Sequence, residues 1–176
     1  MRAFLAIDLP EDLRASIHDV GTKMPGSFAP VPVDNIHLTL HFLGDISDKK
    51  VGEVRAIMDS VTAKKFEVTV KGISFFGGSM VQTVFAKVQD NGMSAKLYDE
   101  LAAGLGAAGF APDKRGYTPH ITFARMKREV KETKEFISKN SDRDFGSFVA
   151  DRIFLKKSVL SDKGASYENL YERELP

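Results

Sequence analysis

The sequence predicts an α+β fold of two similar antiparallel lobes, related by a pseudo-twofold axis and separated by a central cleft. Three observations carry the prediction. His37-Leu38-Thr39-Leu40 reappears as His120-Ile121-Thr122-Phe123, both spelling His-apolar-Thr-apolar. The segments around the two motifs repeat in the same order. Ala3-Phe4-Leu5-Ala6-Ile7 is answered by Val84-Phe85-Ala86-Lys87-Val88, and Phe28-Ala29-Pro30 by Phe110-Ala111-Pro112. More loosely, Gly72-Ile73-Ser74-Phe75-Phe76 is answered by Arg152-Ile153-Phe154-Leu155. Finally, the succession of helix-like and strand-like segments restarts near Met93. Two copies at a spacing of about 80 residues are too few and too long for a solenoid, so two lobes sharing one domain over residues 1–176 fit better.

Each element has a local reason. Ala3 to Asp8 has the apolar content of a buried strand. Pro10 and Glu11 open a helix to Val20, with Leu13, Ile17 and Val20 on one face. Met24 to Asp34 is rich in Pro, Gly and Ser and is expected to be a loop. Ile36 to Leu43 alternates as a strand and stops at Gly44. A second helix starts at Asp48 and buries Val51, Val54, Ile57 and Met58. Phe66 to Phe75 is a strand, Gly77-Gly78 its turn, and Val81 to Val88 its hairpin partner. In the second half, Met93 to Ala108 is helical, Gly109 to Pro119 a loop, Pro119 to Met126 a strand and Val130 to Lys139 a helix. Phe145 to Leu160 is expected as one long strand, Ser161 to Gly164 as a turn, and Tyr167 to Glu172 as the last strand.

Composition narrows the class. A hydrophobic fraction of 43% beside 28% charged residues is that of a globular domain. The absence of cysteine removes disulfides and thiolate metal sites. A formal net charge of +1 argues against coating long duplexes and favours gripping an end or a few nucleotides. The apolar run at the N-terminus breaks at Asp8, too early for a signal-peptide core or a membrane span. A soluble cytoplasmic protein with no membrane association is therefore expected.

On a strand, side chains two apart share a face. Each motif then presents one imidazole and one hydroxyl together, with its apolar residues turned into a core. Histidine is the side chain that serves as acid or base near neutrality, and two placed around one centre can do both at once. Thr39 and Thr122 would donate to phosphoryl oxygens. The set suits in-line displacement at phosphorus without a metal. His41, four residues after His37, mimics a helical zinc pair, but four residues of strand span roughly 13 Å, too far to share an ion. Alternation places His41 on the same face as His37, where it lines the rim or, at least as readily, has a surface or packing role. His18 is expected on a solvated helix face.

Arg125, five residues after His120, should face away from the cleft unless the strand bends, bulges or ends near Ala124. Arg115, in the loop before the second motif, is a freer anion ligand, since guanidinium pairs with phosphate in a bidentate way. Lys127, Arg128, Lys131 and Lys134 are expected on a solvated helix face rather than a binding surface, although the cluster could steer RNA. Phe4, Phe42, Phe75, Phe76 and Phe123 are mostly core by pattern. Phe76, beside Gly77-Gly78, is the one placed to stack a base at the cleft lip.

With these residues in view, the chain resembles the 2H phosphoesterase superfamily, and within it the RNA 2′,3′-cyclic phosphodiesterases, also called 2′-5′ RNA ligases. The resemblance covers nearly the whole chain. It rests on Arg2-Ala3-Phe4-Leu5-Ala6-Ile7-Asp8-Leu9-Pro10, on Asn35 to Gly44, on Pro119 to Arg125, and on Ser158-Val159-Leu160 with Tyr167-Glu168. It implies a bilobal, metal-independent enzyme without cofactor, with one motif in each of two interleaved lobes. It implies hydrolysis of an RNA-terminal 2′,3′-cyclic phosphate to a 2′-phosphomonoester, and the reverse joining of ends through a 2′-5′ linkage. His37 would be the proton donor, His120 the proton acceptor, Thr39 and Thr122 the phosphate cradle, and Arg125 a substrate ligand. The implied partners are RNA ends bearing the cyclic phosphate, including tRNA halves, or small nucleotides, met by a monomer. Another cyclic phosphate, a 2′-5′ linked nucleotide, or a non-catalytic RNA-end-binding module are the alternatives. His41 departs from the family pattern, which commonly has a small or variable residue there.

Overall fold

The computed structural model describes residues 1–111, 113–162 and 164–176. Pro112, the end of the repeated Phe-Ala-Pro triplet, and Lys163, in the expected Ser161–Gly164 turn, lie outside the described residues. The first half runs β1 (Arg2–Asp8), α1 (Glu11–Thr22), β2 (Ser27–Pro30), a 3-10 turn (Val33–Asn35), β3 (His37–Asp45), α2 (Asp48–Asp59) and β4 (Phe66–Phe76). The second half runs β5 (Thr83–Gln89), α3 (Met93–Ala107), β6 (His120–Arg128), α4 (Lys131–Lys139), β7 (Asp144–Ala150), β8 (Arg152–Ser161) and β9 (Gly164–Glu174).

The strands form two antiparallel sheets, ordered β3-β1-β8-β9 and β2-β6-β5-β4-β7. Apart from β2, the orders match position by position: motif strand, partner strand, then a further antiparallel pair, a hairpin in β8-β9 and a distant pairing in β4-β7. Two of the three predicted repeats occupy matching places, whereas Phe28–Pro30 lies in β2 and Phe110 and Ala111 lie in no strand. Ala3–Ile7 and Val84–Val88 lie in β1 and β5, while Gly72–Phe76 and Arg152–Leu155 lie in β4 and β8. Each half also lends a piece to the other. β4, from the first half, pairs with β5, and β8, from the second, pairs with β1. The helices cross over as well: α1 and α4 pack on the sheet of the second motif, α2 and α3 on the sheet of the first.

Two expectations are corrected. Met24 to Asp34 is not all loop, because Ser27–Pro30 pairs with the end of β6. As an edge strand it tolerates the proline that disguised it. Phe145 to Leu160 is two strands. β7 pairs with β4 and β8 with β1, so the chain changes sheets at Asp151. The remaining boundaries shift by a residue or two, and the last strand is longer at both ends.

The core lies between sheets and helices. Leu5, Ile7, Leu38, Leu40, Val84, Ala86, Ile121, Phe123, Ile153 and Leu155 are all buried. Burying side chains of this size stabilises by about 1.5–3 kcal/mol each, and Leu38, Leu40, Ile121 and Phe123 anchor the two motif strands in this way. Two glycines admit close approach. Gly104 of α3 lies against Ile57 of α2, where a Cβ would come within 2.6 Å of the isoleucine. Gly72, at φ +82°, sits in a bulge of β4 and donates its amide to the Arg143 carbonyl at 2.6 Å. Among the described residues, no helix is long and apolar enough to cross a membrane.

Candidate active site

β3 is the edge of its sheet, and β6 is covered by β2 only from Ala124 onward. That leaves the starts of the two strands to lie against each other, and β3 and β6 are in contact there. Both strands begin with the alternation the sequence promised: His37, Thr39, His120 and Thr122 are half-buried, while Leu38, Leu40, Ile121 and Phe123 are buried. His120 is near enough for its charge to bear on His37. The structure thus brings both motifs to one cleft.

The two histidines are held alike. His37 Nδ1–H donates to the Asn35 carbonyl and His120 Nδ1–H to the Thr118 carbonyl, each at 2.7 Å. A proton fixed on Nδ1 leaves Nε2 as the working nitrogen of each neutral ring. Thr39 donates its hydroxyl to His37 Nε2 at 2.9 Å. Aromatic rings position both imidazoles. His37 stacks on Phe4 at 4.9 Å and meets the edge of Tyr167 at 5.4 Å. His120 lies against Phe76 at 4.9 Å and Phe85 at 5.4 Å.

Their electrostatic settings differ. Burial depresses His37 to a pKa of about 4, against which the Asn35 carbonyl and Asp8 pull upward, while Lys156 and His120 push down. Lys156 is itself buried, bonded to Asp8 at 2.9 Å and Asn169 at 2.8 Å. His120 is also lowered, first by burial, opposed by the Thr118 carbonyl, and then by the charges of Arg115 and Arg125. At neutral pH both free imidazoles are therefore uncharged bases.

Beyond each threonine the strands bulge at matching positions. On β6, Val84 pairs with Ala124 and Phe85 with Thr122, stepping over Phe123. On β3, Leu5 pairs with His41 and Ala6 with Thr39, stepping over Leu40. An extra residue reverses the facing of everything after it. Arg125 accordingly returns to the cleft side, exposed and acting on His120, which answers the parity objection.

The same device corrects His41, which does not share a face with His37. It turns toward α3, stacks on Tyr98 at 3.9 Å and donates Nε2–H to the Tyr98 carbonyl at 2.9 Å. Tyr98 in turn stacks on Tyr117 at 4.4 Å. Phe42 is corrected in the other direction. It is 70% exposed, on the cleft side, where strict alternation had buried it. Its offset from His37 equals that of Arg125 from His120, the one signal in the sequence that could have found it.

Arg115 lies within electrostatic reach of His120, but its guanidinium is tied to Asp113 by two bonds of 3.1 Å. Phe76 is 39% exposed at the lip, as expected, and touches Phe85 as well as His120. His18 is only half-solvated and donates Nδ1–H to the Val31 carbonyl at 3.0 Å. Tyr167, Lys156 and Asp8, all beside His37, were not singled out from sequence as part of the site. Nothing local marks Tyr167 and Lys156, because β8 and β9 reach His37 only through the exchange between halves, while Asp8 is the register partner of His37 on β1. The assembled set offers two Nε2 atoms, two hydroxyls and a free guanidinium around one opening, a constellation fit for acid–base chemistry on an anionic centre.

Known proteins resemble this chain in sequence and in fold. A model of the 2′-5′ RNA ligase superfamily matches residues 9–159. An RNA 2′,3′-cyclic phosphodiesterase of Methanocaldococcus jannaschii is 32% identical over 98% of this chain and 99% of its own. The crystal structure of TT0787 of Thermus thermophilus superposes with a TM-score of 0.84, at 27% identity, over 99% of this chain and 98% of that one. The structure of Escherichia coli LigT complexed with NADP+ gives 0.82 at 26% identity, over 99% and 96%.

Proposed function

Because the chain belongs to the 2′-5′ RNA ligase superfamily, we propose that it hydrolyses RNA-terminal 2′,3′-cyclic phosphate to a 2′-phosphomonoester, using His37 and His120 as an acid–base pair. The observation that carries the reading is the matched pair of Nδ1–H bonds to the Asn35 and Thr118 carbonyls, which makes Nε2 the working nitrogen of each ring. His120 Nε2 takes the proton of the attacking water as its oxygen bonds to phosphorus. The bond from phosphorus to the 3′ oxygen breaks, and that oxygen receives the proton of His37 Nε2. Thr39, Thr122 and Arg125 hold the non-bridging oxygens, and Phe76 and Phe42 flank the base. Arg115 assists once it leaves Asp113.

His37 enters the reaction protonated although burial keeps it neutral in the free protein. The substrate's negative charge supplies the missing stabilisation. When Nε2 gains its proton it no longer accepts from Thr39, and that hydroxyl is released to the phosphate. With a 5′-hydroxyl in place of water and the two histidines in the same roles, the same steps join RNA ends through a 2′-5′ linkage, and cleavage of that linkage reverses the roles. The substrates are RNA ends, halves of cleaved tRNA among them, met by a monomer in the cytoplasm.

Incubation with an RNA ending in 2′,3′-cyclic phosphate tests the reading, with the product assigned by phosphorus NMR. A 2′-phosphate is expected, at a rate unchanged by EDTA. His37→Ala and His120→Ala should each lose about 10³-fold or more in kcat. A 3′-phosphate product would overturn the assignment of donor and acceptor, and near-full activity of either variant would remove the pair.

A further inference from the structure

We propose that the outer end of β6 is a track for the RNA chain upstream of the reacting terminus, with Lys127 and Arg128 holding its phosphates. This rests on the function proposed above and narrows its substrate class to oligonucleotides over mononucleotides. The carrying observation is a second bulge in the same strand. Pairing with β2 joins Arg125 to Ala29, Met126 to Phe28 and Arg128 to Ser27, stepping over Lys127. Without the extra residue, Arg128 would share the face of Met126, which packs against the core. With it, Arg125, Lys127 and Arg128 are all exposed. One bulge returns Arg125 to the cleft side, and the next keeps two further cations outward.

These cations are uncommitted. Several surface cations of this nearly neutral chain are paired, as in Lys23–Asp19, Lys139–Glu135 and Arg152–Glu172, while scattered ones such as Lys49 and Lys64 are not, among the described residues. Among the described residues, none of Arg125, Lys127 and Arg128 is in an ion pair. Glu129, next in sequence, does not neutralise them, because it accepts from the Val81 amide at 2.6 Å and faces Lys134 at 3.7 Å. The opposite motif strand ends differently, for β3 closes in Phe42-Leu43-Gly44-Asp45 with an acid, paired across the sheet with Arg2 of β1. A polyanion leaving the site is thus drawn along β6. Lys127 lies about 7 Å beyond Arg125 at strand rise, the scale of one extended nucleotide. A depression of about 250 Å³ adjoins the track, lined by Met80, Val81, Gln82, Met126, Lys127, Arg128 and the engaged Glu129, and offers apolar surface to an upstream base.

The test compares cytidine 2′,3′-cyclic phosphate with a pentanucleotide ending in the same group. At low salt, kcat/KM should favour the pentanucleotide about tenfold or more, and the preference should fade with added salt. The double variant Lys127→Gln/Arg128→Gln should lose most of that preference, leave the mononucleotide rate unchanged, and reduce the salt slope for the pentanucleotide by about 1.4. Lys49→Gln, an exposed lysine on α2, controls for a general charge effect and should change neither substrate. Equal rates on both substrates in the parent protein, or equal losses on both in the double variant, would overturn the track. If neither substrate is hydrolysed, the proposed reaction fails instead. The track is then decided by fluorescence anisotropy with a labelled pentanucleotide 3′-phosphate, where unchanged affinity in the double variant overturns it.

Discussion

His37 and His120 share a hydrogen-bond pattern but not an environment. Burial beside Lys156 takes His37 to about 4, whereas an unperturbed imidazole titrates at about 6.5. Two outcomes are expected at this scale. In the free protein, NMR titration should find His37 still neutral at pH 5, and saturating inorganic phosphate should raise its pKa toward neutrality. A His37 that stays near 4 with the anion bound cannot serve as the acid. The same shift bears on stability. The unfolded chain binds the proton more readily between pH 6.5 and 4, so the fold is fully stable above that window and loses stability as pH falls through it, by at most about 3 kcal/mol after allowance for the ring's partial exposure. His41 separates structure from chemistry. His41→Ala should cost about 1–2 kcal/mol through loss of the Tyr98 stack and one hydrogen bond. Thermal melting and a kcat within a few-fold of the parent would show this, in contrast to His37→Ala.

At the scale of elements, the two motifs are legible because a period of two over four residues, repeated, names a strand and its faces. The residues just beyond each motif are not. Thr39-Leu40-His41 and Thr122-Phe123-Ala124 carry no Gly or Pro to mark a bulge, so simple alternation runs on past the point where the chain reverses it. That single cause misplaces His41 and Phe42 and makes Arg125 seem to face away. β2 is hidden because turn-forming residues also suit a short edge strand. The bulge in β4 is the exception, since a glycine marks it. Gly72→Ala would place a Cβ against the Ser141 carbonyl at a backbone angle that alanine resists. The expected cost is about 3 kcal/mol, or a fall in Tm of about 6–12 °C, read by calorimetry. An unchanged Tm would mean that the loop after α4 moves aside freely.

For the whole molecule, the duplication allows two lobes and a cleft to be inferred, and the matching sheet orders agree with it. The exchange of β4 and β8 between halves cannot be inferred, because pairing partners far apart in sequence leave no local trace. That exchange puts Tyr167, Lys156 and Asn169 beside a motif more than a hundred residues earlier. It also gives the protein a timetable. A ribosome releases His37 early, with β1 and β3 already able to pair, but the other edge of β1 waits for β8, and β8 for β9. Non-local pairing of this kind is slow and leaves strand edges open while it lasts. The second motif can assemble against β4 and β5 while the chain is still being made. The first motif, translated first, is the last to be enclosed, so a message cut short near its end yields a protein with one finished wall and no acid–base pair.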